Sequence, residues 1–284
     1  MLTVNSIAGL REQIHVWRLS GDTIAFVPTM GNLHAGHVHL VKEARRQADR
    51  VVVSIFVNPL QFGPGEDFAA YPRTRDEDAG RLRAAGADLL FMPEASAMYP
   101  LDATAMSVVE VPGLSDDLCG RFRPGHFRGV ATVVLKLFNQ VQPDMAVFGE
   151  KDYQQLVIIR RMVNDLDLPV RILSVPTVRE TNGLAMSSRN AYLTEAERVK
   201  AALLHAELEL ALKALSQGRR DFSTMEIEHA AALESAGFQV DYFAIRRQQD
   251  LRQPDIHDRQ LVILVAARLG RARLIDNLKV SLAE

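Results

Sequence analysis

The sequence has little cysteine, little net charge and no long hydrophobic run. Its one cysteine, Cys119, excludes an internal disulfide, and residues 1–17 lack the cationic and apolar stretches of a secretory signal. A formal net charge of −2 and a pI near 6.5 provide no basic field for a nucleic-acid backbone. The longest apolar runs, residues 51–57 and 261–267, are far shorter than the ~20 residues that a membrane span requires. We therefore expect a cytoplasmic protein whose partners include neither nucleic acid nor a membrane.

The first two thirds of the chain alternate between strand and helix patterns. A strand pattern that is apolar throughout, residues 50–57, follows the amphipathic pattern of residues 37–48, and parallel strands need such helical crossovers. We predict further helices at residues 6–20, 75–85, 130–141 and 153–166, and further strands at residues 23–27, 87–92, 107–111, 144–148 and 170–175. This order predicts a parallel sheet covered by helices.

The pattern changes from Thr194 onwards. We predict helices at residues 195–217 and 223–236, followed by strands at residues 240–245, 261–269 and 273–276. The sequence thus predicts an α/β fold: a Rossmann-like, doubly wound parallel sheet in residues 1–180 and a smaller α+β C-terminal domain in residues 181–284.

The turn at residues 28–37 connects the first apolar strand to the next helix. Gly31 and Gly36 let a backbone pass close to a ligand, and we expect the first-turn N–H groups of the helix to be unpaired at the positive end of its dipole. His34 and His37 lie three residues apart and project from the same turn. This arrangement predicts a phosphate site.

Two later segments have related chemistry. The order of strand, glycine turn and helix recurs at residues 149–152, where Lys151 places a flexible positive charge suited to charge that migrates on phosphorus. The loop at residues 184–190 contains Ser187, Ser188 and Arg189, which could bind phosphate or cap the following helix.

Two neutral amides, Asn58 and Gln61, follow the strand pattern of residues 50–57. Because ligands of open α/β sheets lie beyond the carboxyl ends of strands, these amides should be near the first turn and could bind a carboxylate or hydroxyl. Residues 63–67 could form a mobile cover. As a charge cluster alone, residues 121–128 are typical of a solvated loop; the family resemblance described below favours a place near the substrates instead, and we assign the cluster no chemical step.

Several strings of the sequence resemble known families. His-x-Gly-His at residues 34–37 is similar to the signature of the nucleotidyltransferase superfamily, and the longer string Pro-Thr-Met-Gly-Asn-Leu-His-x-Gly-His resembles that of the pantothenate synthetase family. Three further strings resemble those of the same family: Phe-Val-Asn-Pro-x-Gln-Phe (56–62), Arg-Pro-Gly-His-Phe-Arg-Gly (123–129) and Phe-Gly-Glu-Lys-Asp-x-x-Gln-Leu (148–156). Met-Ser-Ser-Arg at residues 186–189 is similar to the Lys-Met-Ser-Lys-Ser loop of class I aminoacyl-tRNA synthetases. The resemblance covers essentially the whole chain.

The resemblance implies an ATP-dependent condensation of (R)-pantoate with β-alanine that gives pantothenate, AMP and diphosphate, with Mg²⁺ on the phosphates, in a homodimer. Because the Ser-Ser-Arg loop coincides with the predicted domain boundary, we expect the C-terminal domain to close over the ATP site and exclude water. The implied ATP-contacting residues are Met30, Gly31, Asn32, Leu33, His34, Ala35, Gly36, His37, Gly149, Glu150, Lys151, Asp152, Val178, Met186, Ser187, Ser188 and Arg189, of which His34, His37, Lys151 and Arg189 are the catalytic candidates. The implied contacts for pantoate and β-alanine are Gln61, Gln155 and Asn58.

Nothing in the sequence resembles a nucleophile with a paired base. We therefore expect alignment and charge stabilisation: the pantoate carboxylate attacks the α-phosphorus, pyrophosphate leaves, and the amine attacks the acyl-adenylate. Asp152 and Glu77 are the candidate metal ligands.

Two other functions share some of these features. An adenylyltransferase for a phosphate ester would also use His34 and His37 but should need a cationic pocket, whereas the neutral Gln61 and Gln155 favour a hydroxy acid. An RNA-binding module descended from a tRNA synthetase is disfavoured by the acidic balance and by the lack of an anticodon-binding extension.

Overall fold

The computed structural model describes residues 1–100 and 105–282 and divides into two compact units. The sheet unit comprises Met1–Glu150 and Ile158–Pro176, and the C-terminal unit comprises Lys151–Val157 and Thr177–Glu284. The sequence prediction placed one boundary after residue 180. In the structure, a short piece that begins at Lys151 groups with the C-terminal unit.

The described part of the sheet unit contains six parallel strands in the order β1-β4-β3-β2-β5-β6. Their bounds are β1 Leu2–Val4, β2 Ile24–Thr29, β3 Arg50–Ile55, β4 Leu89–Phe91, β5 Met145–Gly149 and β6 Arg171–Val175. The helices that accompany them are α1 Ile7–Leu19, α2 Ala35–Gln47, α3 Arg75–Ala85, α4 Ala95–Met98, α5 Cys119–Phe122, α6 His126–Val141 and α7 Tyr153–Asp165.

Helices cover both faces of this sheet. Because side chains alternate along a strand, Ala25 and Val27 of β2 share a cluster with Val41 of α2 and Leu82 of α3, whereas Phe26 contacts Phe138 of α6, with ring centroids 6.4 Å apart. The central strands are therefore buried on both faces, and the predicted doubly wound α/β fold is confirmed.

The C-terminal unit has an antiparallel sheet with helices packed on it. It contains α8 Glu195–Ala201, α9 Leu203–Ser216, α10 Phe222–Ser235, β7 Gln239–Arg247, β8 Gln260–Leu269 and β9 Ala272–Ser281, with the strands in the order β7-β8-β9. Leu208 and Leu215 of α9 share a buried cluster with Ile263 and Val265 of β8. The predicted α+β character of this part is confirmed.

Three details of the secondary-structure prediction are wrong. Residues 107–111 form no strand; within the described part of the chain, Val109 N donates to Thr132 Oγ1 of α6 (2.9 Å), and β1 occupies the sheet edge beside β4. The helix predicted at residues 195–217 is interrupted at Ala202, whose N–H bonds the Val199 carbonyl in a tighter 3₁₀-type turn. The sequence analysis also missed β1, which is only three residues long.

None of the helices in the described ranges is long and apolar enough to cross a membrane.

Candidate functional site

A buried carboxylate fixes the turn that precedes α2. Asp78, from the first turn of α3, is 1% exposed and accepts hydrogen bonds from Asn32 N to Oδ2 and from Leu33 N to Oδ1, both 2.8 Å long. Gly31 has a φ of +85°, and a Cβ there would lie 3.0 Å from Ile55 Cγ2 and 3.2 Å from Asp78 Oδ2. Glycine is thus required at this position. Asp78 was not predicted from the sequence, because acidic residues in a first helical turn are expected from the helix dipole alone.

The two histidines cap α2. His34 is the N-cap residue, and its Nδ1 accepts from Gly36 N (3.1 Å), while His37 Nδ1 accepts from His34 N (3.3 Å). Their ring centroids are 4.1 Å apart. Because each Nδ1 is an acceptor here, a neutral ring carries its proton on Nε2. Each imidazole therefore has an Nε2–H group that can donate to an anion.

The expectation that the first-turn N–H groups of α2 are unpaired is wrong for Gly36, whose N–H donates to His34 Nδ1. Apart from the bonds just described, Gly31 N donates to Thr29 Oγ1 (3.3 Å) and Val38 N donates to the His34 carbonyl (3.1 Å). Side chains of the turn and of α3, together with the His34 carbonyl, satisfy these donors locally. The imidazole rings thus add side-chain donors to the backbone groups that this turn can offer to a phosphate.

Asn58 is a buried structural amide. Its Nδ2 donates to Gln61 Oε1 (3.1 Å) and to the Gly129 carbonyl (3.1 Å), and its Oδ1 accepts from Leu60 N (3.3 Å) and from the Tyr99 hydroxyl (2.7 Å). Burial raises the pKa of Tyr99, so its hydroxyl remains a donor. A Cβ on Gly129 would lie 2.3 Å from the Leu60 carbonyl oxygen, so α6 can approach this loop only with glycine there. The hydrogen-bonding capacity of the Asn58 amide is filled by the protein.

Gln61 is held by the cluster that the sequence analysis left without a role. Its backbone carbonyl accepts from His126 Nδ1 (2.8 Å) and from Arg123 Nη2 (3.3 Å). Its side-chain Nε2 lies 3.0 Å from Met30 Sδ. Arg123 also binds both carboxylate oxygens of Glu66, at 2.7 and 2.6 Å. Burial by itself would raise the pKa of Glu66, but the hydrogen bonds and charge of Arg123 outweigh it and hold that pKa below its ordinary value. The basic cluster thus fixes Gln61 and ties it to the predicted cover, residues 63–67.

The C-terminal unit contains further candidate residues, the first of which is Lys151. Its Nζ lies 3.9 Å from Asp152 Oδ1, and its carbonyl accepts from Asn277 Nδ2 at 2.9 Å. Gln155, one turn further along α7, is partly buried. This unit therefore brings together Lys151, Asp152 and the predicted pantoate contact Gln155.

The predicted phosphate loop follows a small hairpin in the same unit. Met186 N donates to the Val178 carbonyl (2.9 Å), which pairs two of the predicted ATP-contacting residues. Ser187 caps the 3₁₀ turn Ser188–Tyr192 by accepting from Arg189 N (3.2 Å). The side chain that the sequence offered either for phosphate binding or for capping thus caps a turn in this structure.

The candidate metal ligands do not form a preassembled centre. Within residues 1–100 and 105–282, no group of three or more His, Cys, Asp or Glu side chains could hold a metal ion. The Glu77 side chain is 68% exposed and lies 3.6 Å from Arg81 Nη2, and the Asp152 side chain is half exposed beside Lys151. The donor set fits a divalent cation only if phosphate oxygens and water supply most of its ligands, as is common for Mg²⁺.

Comparisons with known proteins are consistent with one another. The chain matches the family model for pantoate-beta-alanine ligase over residues 2–279. It is 60% identical over 282 residues to a pantothenate synthetase of Methylococcus capsulatus, which covers 99% of both chains. It is 57% identical to a pantothenate synthetase of Shewanella amazonensis, over 98% of this chain and 99% of the relative.

Solved structures give the same result. The pantothenate synthetase of Thermus thermophilus superposes with a TM-score of 0.91 at 46% identity, over 98% of this chain and 99% of that chain. The pantoate-beta-alanine ligase of Francisella tularensis, crystallised with beta-gamma ATP and beta-alanine, superposes with a TM-score of 0.80 at 34% identity, over 98% of this chain and 97% of that chain.

Proposed function

The chain belongs to the pantoate-β-alanine ligase family, and on that premise we propose that it condenses (R)-pantoate with β-alanine, using ATP and releasing pantothenate, AMP and pyrophosphate. The observation that carries the proposal is the imidazole cap of α2. His34 and His37 use their Nδ1 atoms to hold the turn, which directs the chemistry of both rings to their Nε2–H groups. Two such donors at a helix N-terminus suit a polyphosphate.

In the first step, a carboxylate oxygen of pantoate attacks the α-phosphorus of ATP. The bond between that phosphorus and the oxygen of the β-phosphate breaks, and pyrophosphate leaves with the electron pair. We assign His34 and His37 to the phosphates, and Lys151 and Arg189 to the negative charge that develops on the leaving group. Fixed donors and charges of this kind lower the barrier without proton transfer by the protein.

In the second step, the amine of β-alanine attacks the acyl carbon of pantoyl adenylate. The bond from that carbon to the AMP oxygen breaks, the amine loses a proton, and pantothenate forms. AMP therefore leaves with one oxygen that came from pantoate.

Gln61 and Gln155 are our proposed pantoate contacts. Asn58, an initial candidate for the same role, has its amide saturated by the protein, so we assign it to positioning Gln61. Neutral amides suit a hydroxy acid carboxylate better than a phosphate ester, which would require cationic partners.

We assign Mg²⁺ to the ATP phosphates, with Asp152 or Glu77 as the protein carboxylate. When bound, the ion would neutralise phosphate charge. A homodimer and a cytoplasmic location are also part of the proposal and rest on the resemblance to the family; sedimentation equilibrium tests the first.

The experiment that tests this function measures pyrophosphate release from ATP with pantoate alone, with other hydroxy acids and with a phosphate-ester acceptor. We expect release with pantoate, and pantothenate once β-alanine is added. Release only with the phosphate ester would favour the adenylyltransferase alternative.

A Gln61→Ala variant refines the same experiment. Loss of a buried partner for a polar substrate costs about 1–3 kcal/mol, so pantoate kcat/KM should fall roughly 5- to 150-fold. Gln140→Ala is the matched control, because Gln140 is equally buried and its Nε2 also contacts a methionine sulfur, Met98 Sδ at 3.5 Å. If both variants change pantoate use alike, Gln61 is not a pantoate contact.

A further inference from the structure

Strand β9 carries two adjacent buried polar residues, Asp276 and Asn277, which are 4% and 5% exposed. Neither has a role in the proposed function. A buried carboxylate destabilises the folded state unless it is paired, so the partner of Asp276 indicates which segment this carboxylate positions. The partners of Asp276 and Asn277 both belong to segments that we assign to ATP.

Asn277 holds the backbone of Lys151. Its Nδ2 donates to the Lys151 carbonyl at 2.9 Å, and its own N–H donates to Asp276 Oδ1 at 2.7 Å. The bond to Lys151 fixes the point from which the lysine side chain extends. A shift at that point would displace the ammonium group from the charge that it stabilises.

Asp276 holds the hairpin that leads into the Met-Ser-Ser-Arg loop. Arg179 donates to both of its carboxylate oxygens, from Nη1 at 2.6 Å and from Nη2 at 2.9 Å. The same guanidinium donates to the Gly183 carbonyl (3.0 Å) and to the Asn277 carbonyl (3.3 Å). Arg179 therefore ties the hairpin turn to β9.

The hairpin transmits this anchoring to the loop. Arg179 and Ala185 form an antiparallel bridge, and Met186 N bonds the Val178 carbonyl next to it. Met186 is followed directly by Ser187, and β9 also packs against the turn Ser188–Tyr192 that contains Arg189. The position of the loop is thus determined from one short stretch of β9.

We propose that Asp276 and Asn277 are positioning residues for the adenylation step, one for the Met-Ser-Ser-Arg loop and the other for Lys151. The inference rests on the proposed function. It makes two neighbouring side chains of one strand responsible for two separate groups of phosphate contacts, so the variants of the two side chains should differ in their effect on the KM for ATP.

The expected effects differ because the two anchored segments have different tasks. Lys151 is assigned to charge that develops in the transition state, so Asn277→Ala should lower the kcat of pyrophosphate release with little change in the KM for ATP. The Met-Ser-Ser-Arg loop carries Ser187 and Ser188, which we assign to bound triphosphate, as well as Arg189, which we assign to the leaving group, so Asp276→Asn should raise the KM for ATP and also lower kcat. Displacements of about 1 Å can cost up to ~100-fold in rate, and we expect about 10- to 100-fold for each variant.

The control is a second Arg–Asp pair on the same sheet. Arg273 of β9 donates from Nε to Asp241 Oδ2 of β7 at 2.7 Å, and both side chains are 12% exposed, compared with 18% for Arg179 and 3% for Asp276. Their ion pair joins β9 to β7, whereas the Arg179–Asp276 pair joins β9 to the hairpin before the Met-Ser-Ser-Arg loop. Asp241→Asn should lower Tm while leaving kcat and the KM for ATP unchanged at a temperature well below Tm.

The experiment measures Tm, kcat and KM for ATP in the full-length wild-type protein and in Asn277→Ala, Asp276→Asn and Asp241→Asn. Asn277→Ala removes one neutral side chain, so it keeps the test valid if Asp276→Asn does not fold. Kinetic changes in the first two variants alone would support the inference. Wild-type kinetics in Asn277→Ala, or equal kinetic changes in all three variants, would overturn it. An inactive wild-type protein would instead refute the proposed function.

Discussion

The turn before α2 and the turn before α7 both follow a buried parallel strand, and both are assigned to ATP, but the protein holds them through opposite backbone groups. In the first turn, the Asp78 carboxylate and two imidazoles accept the N–H groups. In the second, the Asn277 amide donates to the Lys151 carbonyl. A strand–turn–helix pattern therefore identifies a possible anion site without telling which groups remain for the anion. The first turn offers imidazole N–H groups, and the second offers an ammonium charge.

The largest effect should come from the ammonium of the second turn. Lys151→Ala should lower turnover about 10²–10³-fold, the scale for removing one fixed donor from a developing negative charge, without unfolding the protein. Steady-state kinetics and a thermal melt measure both quantities. Lys213→Ala, at an exposed position of α9, is the control for loss of a lysine. Wild-type turnover in Lys151→Ala would show that the ammonium group of Lys151 does not stabilise the leaving group.

Two roles of His34, as the N-cap of α2 and as a donor to the phosphates, should be separable by substitution. Asparagine is a good N-cap, so His34→Asn should retain the helix cap, whereas His34→Ala should lose about 1 kcal/mol of stability. Both variants lack the Nε2–H donor, and losing a hydrogen bond to a charged group should slow pyrophosphate release roughly 10- to 100-fold. Tm and single-turnover release are the readouts. If His34→Asn releases pyrophosphate at the wild-type rate, the ring only caps the helix.

Asp78→Asn should weaken the first turn itself. An amide in place of the carboxylate turns a donor toward Asn32 or Leu33, so we expect a loss of about 1–3 kcal/mol in the free energy of unfolding. The KM for ATP should also rise, because a displaced turn would move His34 and His37 away from the positions in which they bind the phosphates. Urea unfolding and ATP titration measure these effects. Asp76→Asn, an exposed acid in the same first turn of α3, tests whether the helix dipole explains the result.

The smallest effect concerns His205 of α9, which lies near the Arg179–Asp276 ion pair of the C-terminal unit. Burial and the charge of Arg179 lower the pKa of His205 below its ordinary value of 6.5, against the opposing pull of Asp276 and Glu209. As pH falls through that value, the unfolded chain takes up a proton that the folded ring resists, so stability is lost on the acid side.

His205→Leu should therefore show a smaller fall in Tm than the wild type when the pH is lowered from about 7.5 to about 5.5. The exposed His257→Leu is the control for loss of an imidazole. If the fall in Tm is the same in His205→Leu as in the wild type, protonation of His205 does not contribute to the loss of stability at low pH.

The sheet was predictable because apolar runs and amphipathic spacing are local features. The histidine pair was predictable for the same reason, since both residues lie within one short string. Asp78 was not, because Asp76, Glu77 and Asp78 look equivalent in sequence and only the packing of α3 decides which of them is buried.

Two other misses have a related cause. Asn277 lies 126 residues from Lys151, and no local pattern links them. Residues 107–111 have a strand-like composition, but β1 occupies the place beside β4, and that competition between segments is invisible to local periodicity. Local sequence patterns thus indicate which side chains share one turn, but they do not identify groups that meet only in the fold.

The route of activation is the central claim, and isotope transfer tests it most directly. Pantoate labelled with ¹⁸O in its carboxylate is incubated with ATP, β-alanine and the protein, and the products are resolved by mass spectrometry. Attack on the α-phosphorus predicts one label in AMP and none in pyrophosphate or inorganic phosphate. Label in inorganic phosphate, with ADP as the co-product, would show attack on the γ-phosphorus and would contradict the account.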